Sequence, residues 1–301
     1  MSALRDLLVH VEDDDVSRHA IEMAALLARA LDARLTALLV AAPLHAGVGL
    51  SAETASLALQ IEQDQRAALR DTADRLVAHL RQRFGLATEV RIADGDPAVV
   101  LLAHARTTDL VIASQRDPAR KGGLSTGQAA RVLVGSACPV LTVPHIGWAT
   151  ERPAAATPGV LRRALVAWSG TRESARALRD ALPLLAQASH VELVCFESAA
   201  QGDVSARRAS LESVVRYLSH HGVAAKTTVL SQAEPSIGER MWRGSTPDVT
   251  VAQALLSHAA DVHADFIVMG GYGHSRVREL VLGGVTRTIL ESMTVPVLMS
   301  H

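Results

Sequence analysis

Two stretches of this 301-residue chain repeat each other, and the repetition limits what it can fold into. Cys138-Pro139-Val140-Leu141-Thr142-Val143 answers Val295-Pro296-Val297-Leu298-Met299-Ser300. Asp109-Leu110-Val111-Ile112 answers Asp265-Phe266-Ile267-Val268. The same order of segments recurs around each pair. Apolar runs predict strands at 7–11, 35–40, 88–92, 110–113 and 140–143, and again at 165–168, 191–196, 227–230, 266–269 and 295–299. Helical spacing covers 16–31, 53–84, a segment opened by Gly95-Asp96-Pro97, and 128–134. It returns at 172–185, with Thr171 as the N-cap, and at 205–220, 249–262 and 285–292. Strands alternating with helices make a parallel sheet covered on both faces. The reading is α/β, duplicated in tandem: a first domain at 1–146, a Pro- and Ala-rich linker at 147–160, and a second domain at 161–301.

Charge excludes one class of partner. The formal net charge is −1, so there is no basic field for nucleic acid. The uncharged run 35–52 is broken by Pro43, Gly47 and Gly49 and does not read as a membrane span. The early acidic residues do not resemble a signal peptide, so a cytoplasmic location is expected. Cys138 and Cys195 sit far apart in apolar runs and read as buried thiols rather than a disulfide or metal site. Lys121 and Lys226 are the only lysines, and neither stands in a Walker-type loop. His258 and His263 lack the spacing that would put two imidazoles on one helix face. No nucleophile elbow surrounds Ser125 or Ser136.

The second half carries a glycine pattern that the first half lacks. Gly270 and Gly273 follow the apolar run 265–269, and Gly283 and Gly284 precede the helix beginning near Val285. Glycines permit a sharp turn at a strand end, and free N–H groups at a helix start favour an anion. The alternative is a tight turn and a helix start with no ligand. In the first half, Ser114-Gln115-Arg116-Asp117 stands in place of Gly270-Gly271-Tyr272-Gly273, and Thr126-Gly127 in place of Gly283-Gly284. That loop is one residue shorter, and Asp117 would set a carboxylate against phosphate.

The spacing G-x-x-G, nine residues, G resembles the nucleotide loop of the universal stress protein family. Gly270, Gly273 and Gly283 match it, and Gly284 stands where that family has Ser or Thr. With the order, length and end-strand sequences, the resemblance covers essentially the whole chain. It implies two Rossmann-like, doubly wound five-stranded sheets of order 3-2-1-4-5, each with a ligand crevice where the order reverses. It also implies pairing through the fifth strands, here within one chain as a pseudo-dimer that covers two apolar edges. Pro139 and Pro296 would stand at strand starts, where a missing donor does least harm.

The resemblance implies an adenine nucleotide, ATP foremost and with Mg as a companion, in the second domain. Its residues would be Ala167, Ser169, Phe196, Met269, Gly270, Gly273, Ser275, Arg276, Gly283, Gly284, Val285 and Thr286. Ser169 replaces an Asp that often bonds adenine in the family, and Phe196 flanks the base. Trp168 and Phe196 read equally as sheet core. The expected role is regulatory, in a stress response, through an unknown protein partner, with at most slow hydrolysis. Further homodimerisation stays open. The alternative is a scaffold of the same fold that binds no nucleotide. Residues 234–248 have no counterpart in the first half and read as a lid or partner surface.

Overall fold

A computed structural model describes residues 4–12, 14–41, 52–119, 123–147, 161–197, 204–231, 247–272 and 284–301. The candidate lid 234–248 and the linker 147–160 lie mostly outside them.

The first repeat contains β1 (Asp6–Val11), α1 (Asp14–Leu31), β2 (Arg34–Ala41), α2 (Ala52–Phe84), β3 (Thr88–Asp94), α3 (Pro97–His104), β4 (Leu110–Ser114), α4 (Thr126–Gly135) and β5 (Val140–Val143). The second contains β6 (Arg163–Ala167), α5 (Arg172–Leu185), β7 (His190–Glu197), α6 (Val204–His220), β8 (Ala225–Ser231), α7 (Pro247–Asp261), β9 (Phe266–Gly270), α8 (Gly284–Ser292) and β10 (Val297–Ser300). The ten strands among the described residues form one sheet of order β3-β2-β1-β4-β5-β10-β9-β6-β7-β8. Each half therefore has the order 3-2-1-4-5. Neighbours within a half run parallel, and β5 pairs antiparallel with β10.

That junction places Leu141 opposite Leu298, residues that correspond between the repeats. A pseudo-twofold axis thus passes between them, and both leucines are fully buried. Pro139 and Pro296 open the fifth strands without donating, and their carbonyls accept from Val111 and Ile267. Asp109 and Asp265 do the same job in each repeat. Asp109 Oδ2 accepts from the N–H groups of Arg5 and Asp6 at 2.7 and 2.9 Å, and Asp265 Oδ2 from those of Arg162 and Arg163 at 2.9 and 2.8 Å. These carboxylates tie the start of each fourth strand to the start of each first strand.

Alternation along the strands sorts the core into two layers. Leu7, Val9, Val166 and Leu298 face α1, α2, α5 and α6; Leu8, Val111, Leu165 and Met299 face α3, α4, α7 and α8. Both layers run through both repeats. Cys195 is buried as expected, whereas Cys138 is only half-buried, beside Ser136, because it precedes the fifth strand.

Candidate functional site

The order of the second repeat reverses between β6 and β9, so the expected site lies at their carboxyl ends. There Ala167 pairs with Met269, and Gly270 with Ser300. Gly270 is tightly enclosed: a Cβ on it would come 2.6 Å from the Ser174 backbone nitrogen, at the first turn of α5. A side chain at 270 would push that helix away, so the glycine has a packing reason independent of any ligand. Thr171 caps α5 by accepting from Ser174 N–H, and Gly170 reaches the cap in the left-handed region at φ 73°.

Ser169 is exposed on that turn, its hydroxyl 3.1 Å from the Thr171 hydroxyl. Trp168 lies just past β6 rather than within it, and its indole N–H donates to Ser210 Oγ on α6. Phe196, near the end of β7, is half-buried and packs into the layer under α7 and α8. Gly284 begins α8, and Val285 packs against the same layer. Thr286 is buried, and its hydroxyl accepts from Tyr272 N–H at 3.4 Å. Gly273, Ser275, Arg276 and Gly283 lie outside the described residues. The structure thus sets Ala167 beside Met269 and Gly270 at one strand end and ties Thr286, near the start of α8, to Tyr272, with Ser169 and Phe196 at the ends of neighbouring elements. Among the described residues no group of three or more His, Cys, Asp or Glu could hold a metal ion.

The first crevice differs. Glu12, just beyond β1, reaches across to the loop before α4, and its Oε2 accepts from Gly123 N–H. Its other oxygen lies 3.4 Å from Nδ1 of His10, which is buried on β1. Burial raises the Glu12 carboxyl above its ordinary range, and the Gly123 N–H draws it partly back. Burial lowers the imidazole of His10 from 6.5 to about 4, so it is neutral near pH 7. Glu12 thus brings a second carboxylate to this loop beside Asp117, whose Oδ1 accepts from Ala119 N–H within its own turn. Sequence distance hid this contact, which spans 111 residues.

Gln115 was also missed as a bridge between the repeats. Its Nε2 donates to the Leu290 carbonyl at 2.9 Å, and its Oε1 accepts from His145 N–H. Arg176 crosses the same seam, donating to the carbonyls of His301 at 2.7 Å and Ala137 at 2.9 Å. The only signal for either was a difference between aligned repeats, as at Gln115 against Gly271.

Two Rossmann-like α/β units joined edge to edge, each with its strand order reversing between its first and fourth strands, define the class. The model of the universal stress protein family matches residues 4–144 and again 161–301, and the chain belongs to that family as a tandem member. A crystal structure of a universal stress protein from Archaeoglobus fulgidus DSM 4304 superposes with a TM-score of 0.68 at 16% identity, covering 97% of each chain. A protein of unknown function from Pseudomonas aeruginosa PAO1 gives 0.59 at 16% identity, over 99% of this chain and 92% of its own. Universal stress protein Slr1230 of Synechocystis is 39% identical over 46 residues, which is 15% of this chain and 16% of that protein. No helix among the described residues is long and apolar enough to cross a membrane.

Proposed function

We propose that the second repeat binds one adenine nucleotide, ATP foremost, and that a protein partner reads its occupancy in a cytoplasmic stress response. The units are taken as 1–146 and 161–301, joined by 147–160. The observation carrying this reading is the position of Gly270: it ends β9 beside β6, where the sheet order reverses, and opens the Gly270, Gly273, Gly283 pattern. The base would lie toward Ser169 and Phe196. The phosphates would meet the first N–H groups of α8, which have no partners within the helix. Magnesium would be carried by the phosphates themselves. Gly284 offers no hydroxyl, so contacts there are through backbone.

In the first repeat, Glu12 occupies the loop N–H that an anion would need, so one nucleotide per chain is proposed rather than two. The chain's role is binding; hydrolysis has no base or arginine clamp among the described residues of the crevice and is slow at most.

A second reading is a scaffold without nucleotide. It is favoured by Thr286, whose hydroxyl already accepts from Tyr272 N–H, and by the packing reason for Gly270. Mass spectrometry of small molecules released from freshly purified protein separates the two. An adenine nucleotide is expected. Its absence, together with no thermal shift on adding ATP, ADP or AMP, leaves the scaffold.

A further inference from the structure

The pseudo-twofold axis relates two clefts over the β5–β10 seam, on the face carrying α4 and α8. One is filled. Leu133 of α4 lies so close to Gly271 that a Cβ there would be 2.6 Å from its Cδ2, and Tyr272 is buried beside Thr286. Its mate is open, with a volume of about 440 Å³. The repeats differ at several of the lining positions, and three of them bear on its size and polarity. Arg116 stands where the second repeat has Tyr272, Ala129 where it has Thr286, and Thr142 where it has Met299. A bulky side chain is replaced by an exposed arginine, and the other two changes make the lining smaller or more polar.

The cleft shares the loop after β4 with the first crevice but lies on its far side, toward the second repeat. Neither β1 nor β2 lines it, and Leu290 and Glu291 of the second repeat do. Gln115 fixes that wall by its bond to the Leu290 carbonyl. The size suits a small molecule, and boundaries between domains are common places for such pockets. The chemistry of the walls divides in two. Leu124, Ala129 and Leu290 are apolar, while Thr126, Thr142 and Arg116 are polar. Glu291 is engaged by Arg287 at 2.8 Å, which leaves Arg116 without an ion-pair partner among the described residues.

We propose that this inter-repeat cleft binds a small organic anion with an apolar body. The acid group meets Arg116, and the apolar part lies against Leu124, Ala129 and Leu290. A guanidinium beside an apolar wall selects for this combination because it offers a charge-assisted hydrogen bond next to buried area.

The test is a fluorescence titration of the full chain with 8-anilinonaphthalene-1-sulfonate, with and without saturating ATP. N-phenyl-1-naphthylamine serves as the uncharged comparison. Saturable binding of one sulfonate probe per chain is expected, unchanged by ATP. Arg116→Ala should weaken the sulfonate probe about tenfold and leave the uncharged probe unaffected. Ala129→Thr with Thr142→Met, which writes the second repeat's residues into the first, should abolish binding of both without lowering Tm. Non-saturable binding, displacement by ATP, or equal affinity in the variants overturns the proposal. Arg116→Ala alone decides it should the double variant fail to fold, since that side chain is exposed. Nucleotide binding is read separately, so either proposal can fail alone.

Discussion

At the scale of single residues, neighbouring glycines have different neighbours and should respond differently. A Cβ at 270 would meet the Ser174 backbone, which cannot yield without moving α5, whereas a Cβ at 271 would meet the tip of Leu133, which can rotate. Gly270→Ala is expected to cost about 2–3 kcal/mol and Gly271→Ala about 1 kcal/mol or less, by urea unfolding. Equal costs would remove the packing argument. His10 makes a pH prediction. Its pKa falls from 6.5 to about 4 on burial, so the unfolded chain takes up this proton at higher pH than the fold does. Its contribution is complete above about pH 6.5 and is lost toward pH 4, at about 1.4 kcal/mol per unit. Glu12, facing it, works in the opposite sense: its raised carboxyl binds a proton in the fold first and offsets part of the loss as pH falls. Wild type should therefore lose more stability than His10→Leu between about pH 7 and pH 5. Equal losses would mean that His10 is not neutral in the fold.

At the scale of elements, the paired carboxylates Asp109 and Asp265 hold each fourth strand to the first. Asp265→Ala removes two charge-assisted bonds to backbone N–H groups and is expected to cost about 2–4 kcal/mol. A stability change within about 0.5 kcal/mol, measured by thermal or urea unfolding, would show the contacts to be incidental. These aspartates explain what was legible in the sequence. The repeated Asp-Leu-Val-Ile and Asp-Phe-Ile-Val mark the same structural joint, and fully apolar runs mark strands covered on both faces. Boundaries were less legible. The sixth strand begins at Arg163, not Leu165, and ends before Trp168, because pairing with β7 and β9 sets its limits rather than its own hydrophobicity. The Glu12–Gly123 contact was illegible because nothing local announces a carboxylate folded onto a distant loop. The open cleft needed three positions compared across the axis, each of which alone reads as an ordinary substitution.

At the scale of the whole molecule, the antiparallel β5–β10 pair makes one ten-stranded sheet and two continuous core layers. Separating the halves exposes a fully buried strand edge. Residues 161–301 alone are expected to self-associate through β10 in sedimentation at micromolar concentration, and a stable monomer would contradict this. The duplication also explains the asymmetry. Within one chain the two copies of a site need not stay alike, so one crevice is held by Glu12 while the other keeps its glycines. The most direct measurement is a calorimetric titration of the intact chain with ATP and magnesium, alongside Gly273→Asp. The account predicts one site per chain in wild type and none in the variant. Two sites, no site, or undiminished binding in Gly273→Asp would contradict it.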